Sequence, residues 1–285
     1  MNYWIWFSLL DSLKPLQKKK LLDVFGNPKN IFKAQKSELE NLKFIKESNI
    51  NEIFQKRNIL LIKRYEEYIT KNNIRIITIM DKEYPDKLKN IYDPPIILFT
   101  KGNINLLNDT SIAVIGCRKA TRYGMNMAKK MSYDLSMKNI VIVSGMAKGI
   151  DGMAHIGALK SGKTIAVLGS GVDYPYPYEN INIYKEIIKN NGLIVSEFIV
   201  GTRPNAKNFP QRNRIISGLS DGIFVIEAKK KSGTMITVDF ALEQGKNVYV
   251  LPGNVSSLNS EGTNELIKQG AKIVTCAEDI IEDLD

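Results

Sequence analysis

A doubly wound α/β fold is the class that three features of this 285-residue chain predict. From residue 111 onward, short apolar segments rich in β-branched residues alternate with helical segments. Each short segment is followed by Gly, Ser or Pro before the next helix begins. Continuous apolar strands of this kind are typical of a parallel sheet that is covered on both faces. The sequence therefore predicts a Rossmann-like, mostly parallel sheet over residues 111–285, preceded by a small all-helical domain.

The helical domain is predicted over residues 1–71. Gly26 follows an apolar cluster and has the character of a C′ residue, and Pro28 suits the first turn of the next helix. Ser37 and Glu40 have the spacing of a capping box. Apolar side chains then recur at helical intervals as far as Tyr68.

Residues 72–110 are predicted to connect the two domains and to pack on the core of the second. Two short strands are expected there, separated by a proline-containing loop. Counting both of these, the predicted strands are 74–80, 96–100, 112–115, 140–143, 165–168, 193–195, 223–226, 248–251 and 272–274.

Charge points to an anionic partner. The chain has 40 Lys and Arg against 30 Asp and Glu, a formal net charge of +10. Such a balance attracts polyanions without separating DNA from RNA or from anionic lipid. The partner class therefore has to come from the arrangement of the cations.

Several classes of protein are excluded by what the chain lacks. Cys117 and Cys276 are its only cysteines and His155 its only histidine, so no disulfide framework, metal site or Ser–His triad is predicted. The apolar run at residues 3–10 has neither the basic start nor the cleavage site of a signal peptide. No apolar run approaches the roughly 20 residues that span a bilayer. A cytoplasmic protein without metal, cofactor or membrane partner is expected.

The strongest candidate site lies at residues 208–216. Arg212, Asn213 and Arg214 stand beside Phe209, and no acid interrupts them. Pro210 suits a first helical turn, so both arginines are expected to project near a helix N-terminus, where anions are favoured. The phenyl ring adds a face on which a base can stack. The alternative interpretation is a helix start with two solvated arginines.

Other candidates follow the predicted strands, because ligands of such sheets bind outside the carboxyl ends of the strands. Gly116, Arg118 and two further cations follow the first strand of the sheet, in a pattern that is neither a dinucleotide fingerprint nor a Walker loop. A glycine-rich loop follows the next strand and is expected to donate backbone N–H groups to an oxyanion. Its candidate residues are Ser144, Gly145, Lys148 and Gly149.

Three more features complete this set. Asp151 and His155 are four residues apart on a helix and are interpreted as a structural pair rather than an acid–base pair. The Tyr and Pro residues at 173–177 are expected either to wall a groove or to pack a turn. A second phosphate cradle is predicted at a helix N-terminus, formed by Ser232, Gly233 and Thr234.

Four of these sequence motifs occur in the same order along the chain as in one known protein family. They are 116–124, 144–155, 209–214 and 227–237, and together they resemble the DNA-processing protein A (DprA, or Smf) family over about residues 111–275. The resemblance implies a dimeric, non-catalytic protein that binds single-stranded DNA. It also implies that the protein protects incoming DNA and loads the RecA recombinase onto it during natural transformation.

The resemblance carries over to particular residues. The implied DNA pocket comprises Arg118, Lys207, Phe209, Arg212 and Asn213. The helical domain is similar to the sterile-alpha-motif-like (SAM-like) domain of the family, and the winged-helix domain that many members append is not expected. Single-stranded DNA-binding protein is a further candidate partner.

A nucleotide-processing enzyme is the alternative. The same cradle is distantly similar to that of nucleoside-monophosphate phosphoribohydrolases. That function requires a carboxylate poised for acid–base catalysis, for which Glu227 and Asp239 are the candidates.

Overall fold

The computed structural model describes residues 2–284, which form a sheet covered by helices on both faces and an N-terminal helical region. The strands are β1 (Arg75–Thr78), β2 (Ile97–Gly102), β3 (Ser111–Ile115), β4 (Val141–Ser144), β5 (Thr164–Val167), β6 (Leu193–Ser196), β7 (Gly222–Val225), β8 (Asn247–Val250) and β9 (Lys272–Ile273). The helices of the N-terminal region are α1 (Tyr3–Ser8), α2 (Pro15–Phe25), α3 (Pro28–Lys33), α4 (Lys36–Glu40), α5 (Glu47–Gln55) and α6 (Ile59–Lys71). The later helices are α7 (Asp86–Lys89), α8 (Arg122–Met137), α9 (Ile150–Ala158), α10 (Ile181–Lys189), α11 (Asn208–Gly218), α12 (Gly233–Glu243), α13 (Glu261–Lys268) and α14 (Glu278–Ile281).

The strands form one sheet in the order β1-β2-β6-β5-β4-β3-β7-β8-β9. β1 and β2 pair antiparallel with each other, and β2 pairs antiparallel with β6; the other pairs are parallel. The chain builds outward from β3 to β6 and then returns to the other side of β3 at β7. The predicted fold class, a Rossmann-like and mostly parallel sheet, is confirmed.

Alternate residues of the strands face opposite layers. In β3, Ile112 and Val114 belong to a core that includes α8 and α9. Ala113 and Ile115 face the opposite layer, whose core includes α11 and α12. Side chains of period two that are buried on both faces explain why each strand is a continuous apolar run.

The helical region shares its core with the sheet. Trp6 and Phe7 of α1 are fully buried and belong to the same apolar cluster as Ala113 and Ile115. Tyr68 of α6 also donates a hydrogen bond of 3.0 Å to Asp173, in the loop after β5. The helical region is therefore held against the layer of the sheet that carries α11.

Local signals were right in two places and wrong in one. Gly26 ends α2 with φ +79°, and Pro28 is the first residue of α3. The capping box expected at Ser37 and Glu40 is wrong, because α4 begins earlier and the Gln35 N–H donates to Glu38 instead. Spacing identified the motif but not which pair of residues stands at the helix start.

Candidate nucleic-acid interface

A cavity of about 1110 Å³ opens at the carboxyl ends of the parallel strands. It lies where the strand order reverses between β3 and β7, the position at which such sheets bind ligands. Six loops line it, those after β3, β4, β5, β6, β7 and β8. Its cationic lining residues are Arg118, Lys119, Arg203, Arg212 and Lys229, against the single carboxylate of Asp151.

Arg212 forms part of the cavity wall although only 4% of the residue is exposed. Its Nη1 donates to the carbonyl of Gly145 at 2.7 Å and to that of Val167. Its Nε is buried and has no hydrogen-bond partner among residues 2–284. Burial lowers the pKa of Arg212 to about 10, although the charge of Asp151 opposes the shift. The side chain is thus a cation at neutral pH with unused donor capacity.

Gly145 allows the close approach of this guanidinium. A Cβ at Gly145 would lie 2.4 Å from Nη1 of Arg212, too close for any side chain. The loop after β4 therefore contributes a carbonyl that positions Arg212. A larger residue here is expected to displace the guanidinium from the cavity wall.

Phe209 lies between a cation and a second ring. The Arg118 guanidinium is 5.7 Å from the centre of the Phe209 ring, within the range of a cation–π contact. The Tyr176 ring is 5.6 Å away on a tilted plane. Because Arg118 is exposed and Phe209 is half-buried, both present surface to a ligand in the cavity. Together they offer a phosphate partner beside a base-stacking face.

The cradle predicted at residues 232–234 forms the N-terminus of α12 and lines the cavity. The Ser232 hydroxyl donates to the Lys229 carbonyl, so it does not cap the first N–H groups of the helix. Asn213 donates to the Gly233 carbonyl at 3.3 Å and joins α11 to this turn. A helix start without a side-chain cap, next to Lys229, favours an anion.

The loop at residues 144–149 does not act as the expected oxyanion cradle. The Ser144 hydroxyl is buried and donates to the Val114 carbonyl at 2.6 Å. The Gly145 N–H donates to Asp151, so it is not available to a phosphate. Gly149 has φ +77° and precedes α9, where it allows the tight turn. The glycines serve the shape of the loop, while Gly116 lies in the cavity lining.

Asp151 and His155 form hydrogen bonds with different segments beneath the cavity. Asp151 accepts the N–H groups of Gly145 and Ala147 and so orients the loop. His155 Nδ1 lies 2.7 Å from the Thr164 hydroxyl, which itself donates to a backbone carbonyl, so Nδ1 carries the proton and donates. Burial and the charge of Arg212 lower the pKa of His155 to about 3. The histidine is therefore neutral, and its hydrogen bond is to Thr164 rather than to Asp151.

Arg214 is not part of the cavity, contrary to expectation. It is 1% exposed, and both of its Nη atoms lie 2.7 Å from the carboxylate of Glu197. Its Nε lies 3.0 Å from Asp93. Burial acts to lower the pKa of Arg214, but Glu197 and Asp93 together with Tyr84 oppose it, and the pKa is raised. α11 begins at Asn208, so Arg212 and Arg214 both lie beyond its first turn. Because they are two residues apart on the helix, their side chains point in different directions and have different neighbours.

The two predicted lysines lie outside the cavity lining. Lys148 is exposed beside Ala147, which lines the cavity, and it pairs with Glu179. Lys207 is exposed at the start of α11, next to Ala206 of the lining. Lys207 adds positive charge at the rim, whereas the charge of Lys148 is offset by Glu179.

Two lining residues, Arg203 and Asn259, were not anticipated from the sequence. Arg203 lies in the loop after β6, and the rule that ligands bind at strand ends identifies it when it is applied to that strand. Lys119, by contrast, is one of the cations predicted to follow the first strand of the parallel sheet, and it lines the cavity next to Arg118. Asn259 has no sequence signal, since it reaches the cavity from the loop after β8 and donates to the Lys119 carbonyl at 2.9 Å.

Glu227 is a buried carboxylate with its acceptors occupied. It accepts the Thr121 N–H at 2.9 Å, the Thr121 hydroxyl and the Asn259 amide at 3.3 Å. Cys117 lies 3.4 Å from it, and burial, then the charge of Glu227, raise the pKa of that thiol to about 12. This carboxylate joins three loops behind the cavity.

Residues 2–284 contain neither a candidate metal site nor a helix that could span a membrane. No group of three or more His, Cys, Asp or Glu side chains is placed to hold a metal ion in this range. Nor does any helix of these residues have the length and apolar character needed to cross a lipid bilayer.

Known proteins share both the sequence and the fold. The model of the family described as DNA recombination-mediator protein A matches residues 75–285. The DNA processing protein DprA of Bacillus subtilis (strain 168) is 44% identical over 213 residues, which are 74% of this chain and 71% of that protein.

Two solved structures agree with this match. The X-ray structure of DNA processing protein A from Streptococcus pneumoniae has a TM-score of 0.84 and 35% identity, covering 99% of this chain and 97% of that one. The DNA processing protein A of Helicobacter pylori, whose structure concerns its single-stranded DNA binding mode, has a TM-score of 0.66 and 32% identity, covering 74% and 95%. On the extent of these matches, the chain belongs to the family of DNA recombination-mediator protein A.

Proposed function

We propose that this protein binds single-stranded DNA without sequence preference through the cavity at the strand ends. In this proposal it protects incoming DNA and loads RecA onto it during natural transformation. The observation that carries the proposal is the cavity wall, in which five cations, the buried Arg212 among them, stand against a single carboxylate. Such an excess of positive charge favours an anionic ligand.

The residues of the cavity wall favour a flexible nucleic-acid strand as the ligand over a free inorganic anion. Arg118 and Phe209 place a phosphate partner beside an aromatic face, and these are the two elements of sequence-tolerant single-strand binding. The related protein of Helicobacter pylori is described as binding single-stranded DNA, which supports the same substrate class here. RecA, a homodimeric state, a contact with single-stranded DNA-binding protein and a cytoplasmic location follow from the family resemblance alone.

The enzyme alternative is weakened by the state of its carboxylates. Four donors already surround Glu227, which leaves little capacity to accept a proton from a substrate. Asp239 is exposed on α12 and is not part of the cavity lining. We therefore propose a binding protein without catalytic turnover. Release of a base from nucleoside monophosphates by the purified protein would contradict this.

Binding is tested by fluorescence anisotropy with single- and double-stranded oligonucleotides over a salt series. Arg118→Ala is expected to weaken single-strand binding about tenfold and to reduce the log–log salt slope by about 0.7. Arg122→Ala is the matched control, because Arg122 is an exposed cation four residues away that does not line the cavity. Equal affinities of the two variants for single-stranded DNA would contradict the proposal that the strand binds in this cavity.

The RecA proposal needs a separate measurement. RecA filament formation on oligonucleotides coated with single-stranded DNA-binding protein is followed with and without this protein. Wild-type protein is expected to shorten the lag, and Arg118→Ala to lose that effect in proportion to its lost affinity. An unchanged lag with protein that binds DNA would contradict RecA loading while leaving DNA binding intact.

A further inference from the structure

Three tyrosines remain exposed at the mouth of the cavity, in a segment not used by the proposed site. Residues 174–178, which we call the tyrosine arm, read Tyr-Pro-Tyr-Pro-Tyr and follow β5. Tyr174, Tyr176 and Tyr178 line the cavity, and Tyr178 is 78% exposed. A turn that served only packing would bury these rings, since aromatic side chains contribute most when they are removed from water.

The backbone of the tyrosine arm is held on both sides. The Ser170 hydroxyl donates to the Tyr174 carbonyl at 2.7 Å. Just before the arm, Asp173 accepts the Gly201 N–H at 2.9 Å and the Tyr68 hydroxyl of the helical region at 3.0 Å. Just after it, Asn180 donates to two carbonyls of the loop after β4 at 3.0 Å.

The backbone of the arm is thus fixed by contacts on both sides, while its rings remain exposed. Pro175 and Pro177 restrict its backbone further, because each proline ring limits φ. Ordering such a segment for a ligand costs little conformational entropy.

One ring of the arm already touches the site. Tyr176 lies 5.6 Å from Phe209, and Phe209 in turn lies 5.7 Å from the Arg118 guanidinium. Tyr178 follows two residues later, lines the same cavity and is exposed, next to Glu179, which pairs with Lys148. Aromatic rings of the arm are therefore present both at Phe209 and at the solvent side of the cavity.

We propose that the tyrosine arm is a second base-stacking platform, over which the strand leaves the cavity from Phe209 past Tyr176 to Tyr178. The inference rests on the proposed function, because it extends the path of the same ligand. It adds binding that is aromatic rather than ionic, and it makes the binding site longer than the cavity itself.

The test uses full-length Tyr178→Ala, with Tyr178→Phe retaining the ring. Anisotropy is measured with thymidine oligonucleotides of increasing length across a salt series. For Tyr178→Ala we expect about fivefold or greater loss of affinity for long oligonucleotides, no loss for the shortest that bind, and an unchanged salt slope. Tyr178→Phe is expected to match the wild type. Arg118→Ala differs, since it lowers the slope at every length.

Tyr92→Ala is the control for removing an exposed tyrosine, since Tyr92 is 83% exposed and does not line the cavity. A second readout is photo-crosslinking of an iodouracil-substituted strand, with peptide mapping expected to find Tyr176 or Tyr178. If wild-type protein binds but Tyr178→Ala and a Tyr176→Ala variant match it at all lengths, the arm is only a wall and the inference is overturned. If wild-type protein binds no single strand, the proposed function fails as well.

Discussion

Arg212 and Arg214 lie two residues apart on α11, and the surroundings of the two side chains differ in one respect. Arg214 is enclosed with Glu197 and Asp93; burial acts to lower its pKa, but these carboxylates together with Tyr84 raise it. Arg212 is enclosed with carbonyls and has Asp151 nearby, yet burial lowers its pKa to about 10 and its Nε has no partner among the described residues.

The difference separates a fully paired, structural cation from one to which we assign a binding role in the proposed function. A buried ion that is fully paired holds two elements together, as Arg214 joins α11 to the segments around residues 93 and 197. A buried ion that is incompletely compensated lowers stability until an anion arrives. The same residue type thus has opposite roles, which the neighbouring acids decide.

The largest expected effect is on stability, for Arg214→Met. Removing one partner of a buried pair leaves the carboxylates of Glu197 and Asp93 without compensation and is expected to lower the free energy of unfolding by about 3–5 kcal/mol. Denaturant unfolding measures this. Arg75→Ala is the control, because it breaks an exposed pair with Glu83 at the surface and is expected to cost at most about 1 kcal/mol. A loss of similar size in both variants would break the comparison.

Arg212→Met, the matched substitution, is expected to act mainly on binding. The affinity of the folded fraction for single-stranded DNA should fall about tenfold or more, because a charged donor to phosphate is lost. Its loss of unfolding free energy should be smaller than that of Arg214→Met, since removing an incompletely paired cation also removes its desolvation cost. Anisotropy and denaturant unfolding are run on both variants. The opposite ranking in either measurement would contradict the assigned roles.

The smallest effect concerns His155, whose pKa is lowered to about 3 by burial and by the charge of Arg212. Below about pH 6.5 the unfolded chain binds a proton that the folded chain refuses, so stability is constant above that pH and falls below it. Between pH 7.5 and pH 5.5 the expected loss is about 1.4 kcal/mol.

His155→Gln is expected to remove this pH dependence, since the chain has a single histidine. Denaturant unfolding at the two pH values, for wild type and variant, measures the difference. Equal pH dependence in both proteins would show that His155 is not the titrating group.

Much of the fold could be predicted from local pattern. Apolar runs such as the one around Val143 identify buried parallel strands, because both faces of the sheet are covered. The lining of the cavity was predicted in part, since it includes Arg118, Phe209, Arg212 and Asn213; whether these residues bind DNA stays a prediction. Arg214 was misplaced because its partners lie 17 and 121 residues away in sequence, and no local pattern reports such distances.

The sequence by itself determined the alternation of strands and helices, the surplus of positive charge and the strand ends at which that charge gathers. These depend on side-chain periodicity and on neighbours along the chain. Only the tertiary structure decided which cations face the cavity and which form ion pairs with Glu197 or Glu179. It also decided that the Tyr176 ring contacts Phe209. Those outcomes depend on contacts between distant segments, and so on how the strand order reverses around β3.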